Sequence, residues 1–215
     1  RALMDRGLVS LKPARTRMLE RLIKDAPRFH SANGALTSWS VQAETLRYLD
    51  SVLEPGMKTL ETGCGQTTVV FAIARTRHVC VTPNREEVDR VQRYCAQLGL
   101  EPSLVFVIDS SDKALPREDV VLRDLDLIFI DGAHAFPAPI LDWHYSARGL
   151  KIGGLLAVDD YKMPSVKMLF DFLRGEEEWE LLSIVQNTAF FRKRAEMKAL
   201  ADWRGQKINS QYPGY

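Results

Sequence analysis

The chain has 215 residues, 46% of them hydrophobic and 27% charged, which suits a folded domain with a sizeable core and excludes a disordered chain. Its 29 Lys and Arg against 28 Asp and Glu leave a formal charge of +1, so nothing global attracts nucleic acid or an anionic membrane. No apolar run approaches the roughly 20 residues that span a bilayer.

Residues 1–55 read as a helical cap. Met18, Leu19, Leu22 and Ile23 form one helical stripe, and Val41, Ala43, Leu46, Leu49 and Leu53 form a second. The loop around Ser31-Ala32-Asn33-Gly34 joins them. Trp39, Gln42 and Tyr48 fall on the second helix, where core packing explains Trp39 and Tyr48.

After Pro55-Gly56 the pattern changes to short branched apolar runs: Thr59 to Thr62, Val79 to Thr82, Leu104 to Ile108, Leu125 to Ile130 and Leu155 to Val158. Helix-length amphipathic stretches, notably Glu86 to Leu98 and Ala138 to Leu150, separate most of them. Strands apolar on both sides and alternating with helices predict a parallel sheet covered on both faces. Trp179 to Val185 and Thr188 to Phe191, separated only by Gln186-Asn187, predict an antiparallel hairpin that closes it. Residues 56–192 thus form the core, and residues 193–215 read as a charged helix followed by a tail containing Tyr212 and Tyr215, which suits an oligomer arm or a disordered end. Cys64, Cys80 and Cys95 lack metal-ligand spacing and lie in or beside buried elements, which predicts reduced thiols and an intracellular, cytoplasmic protein.

Ligands of open parallel sheets sit beyond the carboxyl ends of the strands, where strand order reverses. The first run ends in Glu61-Thr62-Gly63-Cys64-Gly65 and then enters a helix. The two glycines allow a tight turn and a close approach of backbone to ligand, and Glu61 can accept hydrogen bonds from an ammonium or hydroxyl group. A dinucleotide fingerprint would place a third Gly or Ala where Thr68 stands, which argues against a nicotinamide dehydrogenase.

With its acidic residue, its Gly-x-Gly turn and its closing hairpin, the segment from Pro55 to Arg192 resembles the class I S-adenosylmethionine-dependent methyltransferases. The resemblance implies a three-layer α/β Rossmann-like fold with a mainly parallel seven-stranded sheet. It also implies that Glu61, Thr62, Gly63, Cys64 and Gly65, with Thr68, hold the amino-acid end of the cofactor. Relatives usually end the second strand with a carboxylate for the ribose. This chain has Val81-Thr82-Pro83-Asn84, leaving Thr82 and Asn84 to make neutral bonds, about half as strong as charge-assisted ones. Asp109 and Ser110, after the third run, match the adenine position, although an Asp there also suits a turn or a helix cap.

The fourth run ends Asp131-Gly132-Ala133-His134 and the fifth Asp159-Asp160-Tyr161. This layout resembles metal-dependent O-methyltransferases of small molecules and sugars. The resemblance implies Asp131, Asp159 and Asp160 as Mg2+ ligands, and the three as hard oxygen donors suit that ion. His134 is then a general base or a contact to cofactor and substrate, alongside Asp131 and Asp160. Neighbouring strand residues point to opposite faces, so Asp159 and Asp160 can cooperate only where the strand breaks; the alternative is that either one caps a helix at Pro164. His144 reads as a packing residue, and His30 and His78 carry no signal. The expected activity is O-methylation of a small hydroxylated metabolite or sugar, by a chain able to form a homo-oligomer. N-methylation, aminopropyl transfer and non-catalytic cofactor binding are the competing accounts.

Overall fold

The computed structural model describes residues 2–101, 103–120, 123–197 and 203–209. Helix α1 (Ala2–Asp25) leads into a small antiparallel hairpin, β1 (His30–Ala32) and β2 (Ala35–Thr37), followed by α2 (Ala43–Val52). The hairpin stands where the sequence suggested only a loop. Its turn residues Asn33 and Gly34 have φ of 52° and 79°, and two successive left-handed residues match the twist of a two-residue hairpin.

The core then follows as β3 (Lys58–Thr62), α3 (Gln66–Ile73), β4 (Arg77–Thr82), α4 (Arg85–Gln97), β5 (Leu104–Ile108) and α5 (Ser111–Ala114). The second half contributes β6 (Leu125–Ile130), α6 (Ala138–Ser146), β7 (Leu150–Val158), α7 (Pro164–Gly175), β8 (Trp179–Val185) and β9 (Thr188–Lys193). The seven core strands lie in the order β5-β4-β3-β6-β7-β9-β8. β3 through β7 pair in parallel, and β9 is antiparallel to both β7 and β8. This is the Rossmann-like methyltransferase architecture expected from the sequence, closing hairpin included.

Strand alternation divides the core in two. Leu127, Phe129, Ala157 and Phe190 face α1, α2, α3 and α4, whereas Leu60, Ile128, Val158 and Phe191 face α5, α6 and α7. The N-terminal helices therefore form part of one core layer. Leu22, Leu46 and Leu49 are fully enclosed with Val69 and Phe71 of α3. Tyr48 packs on Phe190 with ring centroids 4.5 Å apart, and Thr45 Oγ1 donates to the Val185 carbonyl at 3.1 Å. Tyr48 is a core residue, as its helical position suggested.

Two expectations fail at the ends of elements. Trp39 precedes α2 and is exposed, because the hairpin spends residues that a longer helix would have used. Lys193 continues β9 opposite Trp179 rather than opening a helix. Its buried ammonium donates to the carbonyls of Ala147 and Leu150 at 3.3 and 2.8 Å. Among the described residues beyond it there are two 3-10 turns, Trp203–Gly205 and Lys207–Asn209, and Tyr212 and Tyr215 lie outside the described residues. No described helix is long and apolar enough to cross a membrane.

Phe190 joins the closing hairpin to α2, so Phe190→Ala should lower unfolding stability by about 3–5 kcal/mol in urea denaturation. A loss below about 1 kcal/mol would show that the N-terminal helices are not integral to this core.

Candidate active site

The chain runs β3, β4, β5 toward one edge, then returns to lay β6 on the other side of β3. The reversal leaves an opening above the carboxyl ends of β3 and β6, which short backbone bonds hold level. Asp131 N donates to the Thr62 carbonyl, Asp159 N to Ile130 and Gly63 N to Val81, each at 3.0 Å. A cleft of about 860 Å³ lies over this row.

Two constraints make Gly63 obligatory. Its φ is +96°, and a Cβ would lie 2.2 Å from the Asp131 carbonyl oxygen, so the first loop can rest against the fourth only without a side chain. Glu61 fixes the same turn from below. Its side chain is enclosed and points to the α3 side of the sheet, where Thr67 Oγ1 and Thr68 Oγ1 both donate to the carboxylate. His78 Nε2 stands 3.4 Å from Glu61 Oε2, and the Gly65 N–H closes the loop on Thr68 Oγ1 at 3.0 Å.

Several expected contacts are thereby redistributed. Thr62, Gly63, Cys64 and Gly65 line the cleft as anticipated, but Glu61 and Thr68 do not; they brace the turn beneath it. Thr82 and Ser110 also line the cleft, whereas Asp109 does not. Asp109 Oδ1 accepts from the Ser110 N–H at 2.8 Å and its other oxygen faces Arg117 at 3.8 Å, so the turn explains it. Asn84 lines the cleft, yet its Oδ1 caps α4 by accepting from the N–H groups of Glu86 and Glu87. His144 packs edge-on against Tyr145, outside the cleft lining, as expected of a packing residue.

The Asp159-Asp160 pair meets the condition set by strand geometry. β7 ends at Val158 and Asp160 takes φ +50°, so the chain turns and both residues line the cleft. Asp159 is nonetheless committed, because Thr188 Oγ1 donates to its Oδ1. His134 Nε2 lies 3.8 Å from both Asp131 Oδ1 and Asp160 Oδ2. It is buried and has no hydrogen-bond partner among the described residues. The imidazole therefore occupies the space between two of the three carboxylates assigned to a metal, while the third is turned to Thr188. Among the described residues no three His, Cys, Asp or Glu side chains converge to hold a metal ion. This donor set does not fit Mg2+ as arranged.

From the sequence His30, Glu87 and Asp142 carry no site role, and Trp39 reads as a packing residue. His30, on β1, reaches the cleft and bonds Glu87 of α4, Nδ1 to Oε1 at 3.0 Å. Trp39 lies on the His30 ring with centroids 5.5 Å apart and also lines the cleft. The Asn33-Gly34 dipeptide was the available signal, since a hairpin turns these residues back over the sheet. Asp142 on α6 is enclosed near Thr62 and Gly132. Its place in an apolar helix gave no warning of that.

Burial dominates the electrostatics. It pushes the Asp131 carboxyl well above the usual carboxylate range, with further repulsion from Asp159, Glu61 and Asp160. Asp159 is raised chiefly by burial, against the Thr188 bond, and Asp142 likewise by burial. Between the ordinary carboxylate value and the raised one, native Asp131 holds its proton more tightly than the unfolded chain does, so folding stability falls as pH rises through that window. Asp131→Asn removes the slope. The variant should melt above the wild type at about pH 8, by about 2–4 °C per kcal/mol of repulsion relieved, and level with it near about pH 4. Identical pH–melting curves would refute this.

Residues 60–161 match a family model described as a methyltransferase domain. No curated protein matches the chain in sequence. Cofactor-bound Rv0187 from MTB has a similar structure, with a TM-score of 0.65 at 15% identity over 90% of this chain and 95% of its own. The O-methyltransferase TomG from Streptomyces achromogenes, in complex with SAM, gives 0.61 at 17% identity over 74% and 84%. An rRNA methylase from Streptococcus thermophilus gives 0.57 at 12% identity over 74% and 100%. At such identities the likeness establishes the fold alone, and the family match spans residues 60–161, just under half of the chain: a methyltransferase-domain match carried on a Rossmann-like methyltransferase fold.

Proposed function

We propose that the enzyme O-methylates a small hydroxylated acceptor, with His134 as general base. The observation that carries this reading is the unpartnered Nε2 of His134, held between Asp131 and Asp160 in the cleft. An alcohol must lose its proton to accept a methyl group, and a base within hydrogen-bond reach is the first requirement. The cofactor, when bound, supplies a methyl group on a sulfonium sulfur. Thr62, Gly63, Cys64 and Gly65 are the residues that would hold its amino-acid end, since they line the cleft on a backbone too close to Asp131 for any larger residue at position 63.

His134 Nε2 is the atom placed to take the acceptor proton, and the cofactor's sulfonium methyl group would pass to the acceptor oxygen when bound. Asp131 Oδ1 and Asp160 Oδ2 each stand 3.8 Å from that nitrogen and hold the imidazole between them. The cleft lining supports a small acceptor over a nucleic acid: among the described residues it includes Glu87, Asp112, Asp131, Asp159 and Asp160 and no Lys or Arg. A polyanion would find no phosphate-binding cation there. The same acidic lining favours a cationic amine as the second reading, giving N-methylation.

His134→Ala should lower kcat about 10²–10⁴-fold, while S-adenosylhomocysteine binds as tightly as to the wild type by calorimetry. Unchanged turnover would remove His134 from the chemistry. A panel of paired alcohols and amines, read by S-adenosylhomocysteine release, distinguishes O- from N-methylation. Activity retained in EDTA is expected. A magnesium-assisted reaction would need Asp131, Asp159 and Asp160 to regroup around a cation, and it would be shown by loss of activity in EDTA with recovery on adding Mg2+.

A further inference from the structure

The part of the cleft beside the loop after β4 contains a carboxylate that no strand end supplies. The loop after β4 offers Thr82, Pro83 and Asn84, none of them charged. Thr82 Oγ1 accepts from the Asn84 N–H at 3.3 Å, and Asn84 Oδ1 is used twice in capping α4. These groups have little acceptor capacity left for a pair of hydroxyls. Glu87, one turn into α4, lines the same cleft with its side chain 11% exposed. One carboxylate oxygen, Oε1, is bonded to His30 Nδ1 at 3.0 Å, and the Glu87 N–H donates to Asn84 Oδ1; among the described residues Oε2 has no hydrogen-bond partner.

We propose that Glu87 receives the two ribose hydroxyls of the cofactor, and that His30 is the positioning residue that aims it. The inference rests on the cofactor reading given above. A carboxylate offers acceptor sites on both oxygens, so it can take a vicinal diol while keeping one bond to an imidazole. His30 is suited to hold it from the opposite side. Its ring is sandwiched between Trp39, at a 31° interplanar angle, and the Gly65 backbone, where a Cβ would stand 3.3 Å from Nε2. The bond links residues 57 apart in sequence, so the N-terminal hairpin and the first loop of the sheet close over the same part of the cleft.

The test compares two ligands on the full chain by calorimetry: S-adenosylhomocysteine and its 2′,3′-dideoxy analogue. Glu87→Gln should weaken S-adenosylhomocysteine about tenfold or more, the scale of a hydrogen bond to a charged group, and leave the dideoxy analogue within about twofold. His30→Ala should show the same selectivity with a smaller loss, about threefold to fivefold, because the carboxylate remains but is no longer aimed. If Glu87→Gln does not fold, Glu87→Asp withdraws the carboxylate by one methylene and serves in the same comparison. Equal losses on both ligands, or no loss on either, would overturn the proposal. A wild-type chain that binds neither ligand would instead overturn the cofactor reading beneath it, and this proposal with it.

Discussion

The buried carboxylate of Glu61 is the constraint on which the cleft depends. A charge enclosed in a sheet is costly unless its lone pairs are taken up. Here Thr67 and Thr68, in the first turn of α3, both donate to it, and His78 on the next strand stands close by. That clamp ties the end of β3 to the start of α3 and leaves the Gly63–Gly65 turn one route between them. The route passes so near Asp131 that the turn after β3 and the turn after β6 behave as one body. The acidic residue of the motif thus sets the shape of the loop from beneath the cleft.

Above this clamp the charge is poorly balanced. Asp131 and Asp160 flank one histidine, Asp159 lines the same cleft beside them, and among the described residues no Lys or Arg lines it to offset them. Such crowding costs folding stability, and its persistence at a cleft is characteristic of sites arranged for chemistry rather than for stability. It also leaves His134 Nε2 3.8 Å from two carboxyl groups, which fix the imidazole from either side.

The sheet was readable from sequence because parallel strands buried on both faces leave short, unmistakable apolar runs, and all seven core strands were located from them. The hairpin at Asn33-Gly34 was not, since strands of three residues carry too little pattern to register. Motif position singled out Gly63, Gly65, Asp131, His134 and Asp160, all of which line the cleft. Glu61 and Thr68 share the motif but bond to each other on the α3 side of the sheet, outside the cleft lining. Side-chain direction depends on strand register and on competing local bonds such as those that occupy Asn84 and Asp109, and neither is written in residue spacing. His30 and Glu87 meet across 57 residues, a separation at which local pattern has nothing to say.

The bond from Thr45 to Val185 has a consequence for biosynthesis. It spans 140 residues, and Tyr48 meets Phe190 across a similar interval. At the usual synthesis rates, roughly 7–30 s separate the appearance of the two partners on the ribosome. During that time the flank of α2 that will meet the last hairpin is completed helix without its counterpart. Nascent chains stalled before residue 185 should therefore be the form on which a holdase chaperone acts, and the closing hairpin is the element whose arrival ends that exposure.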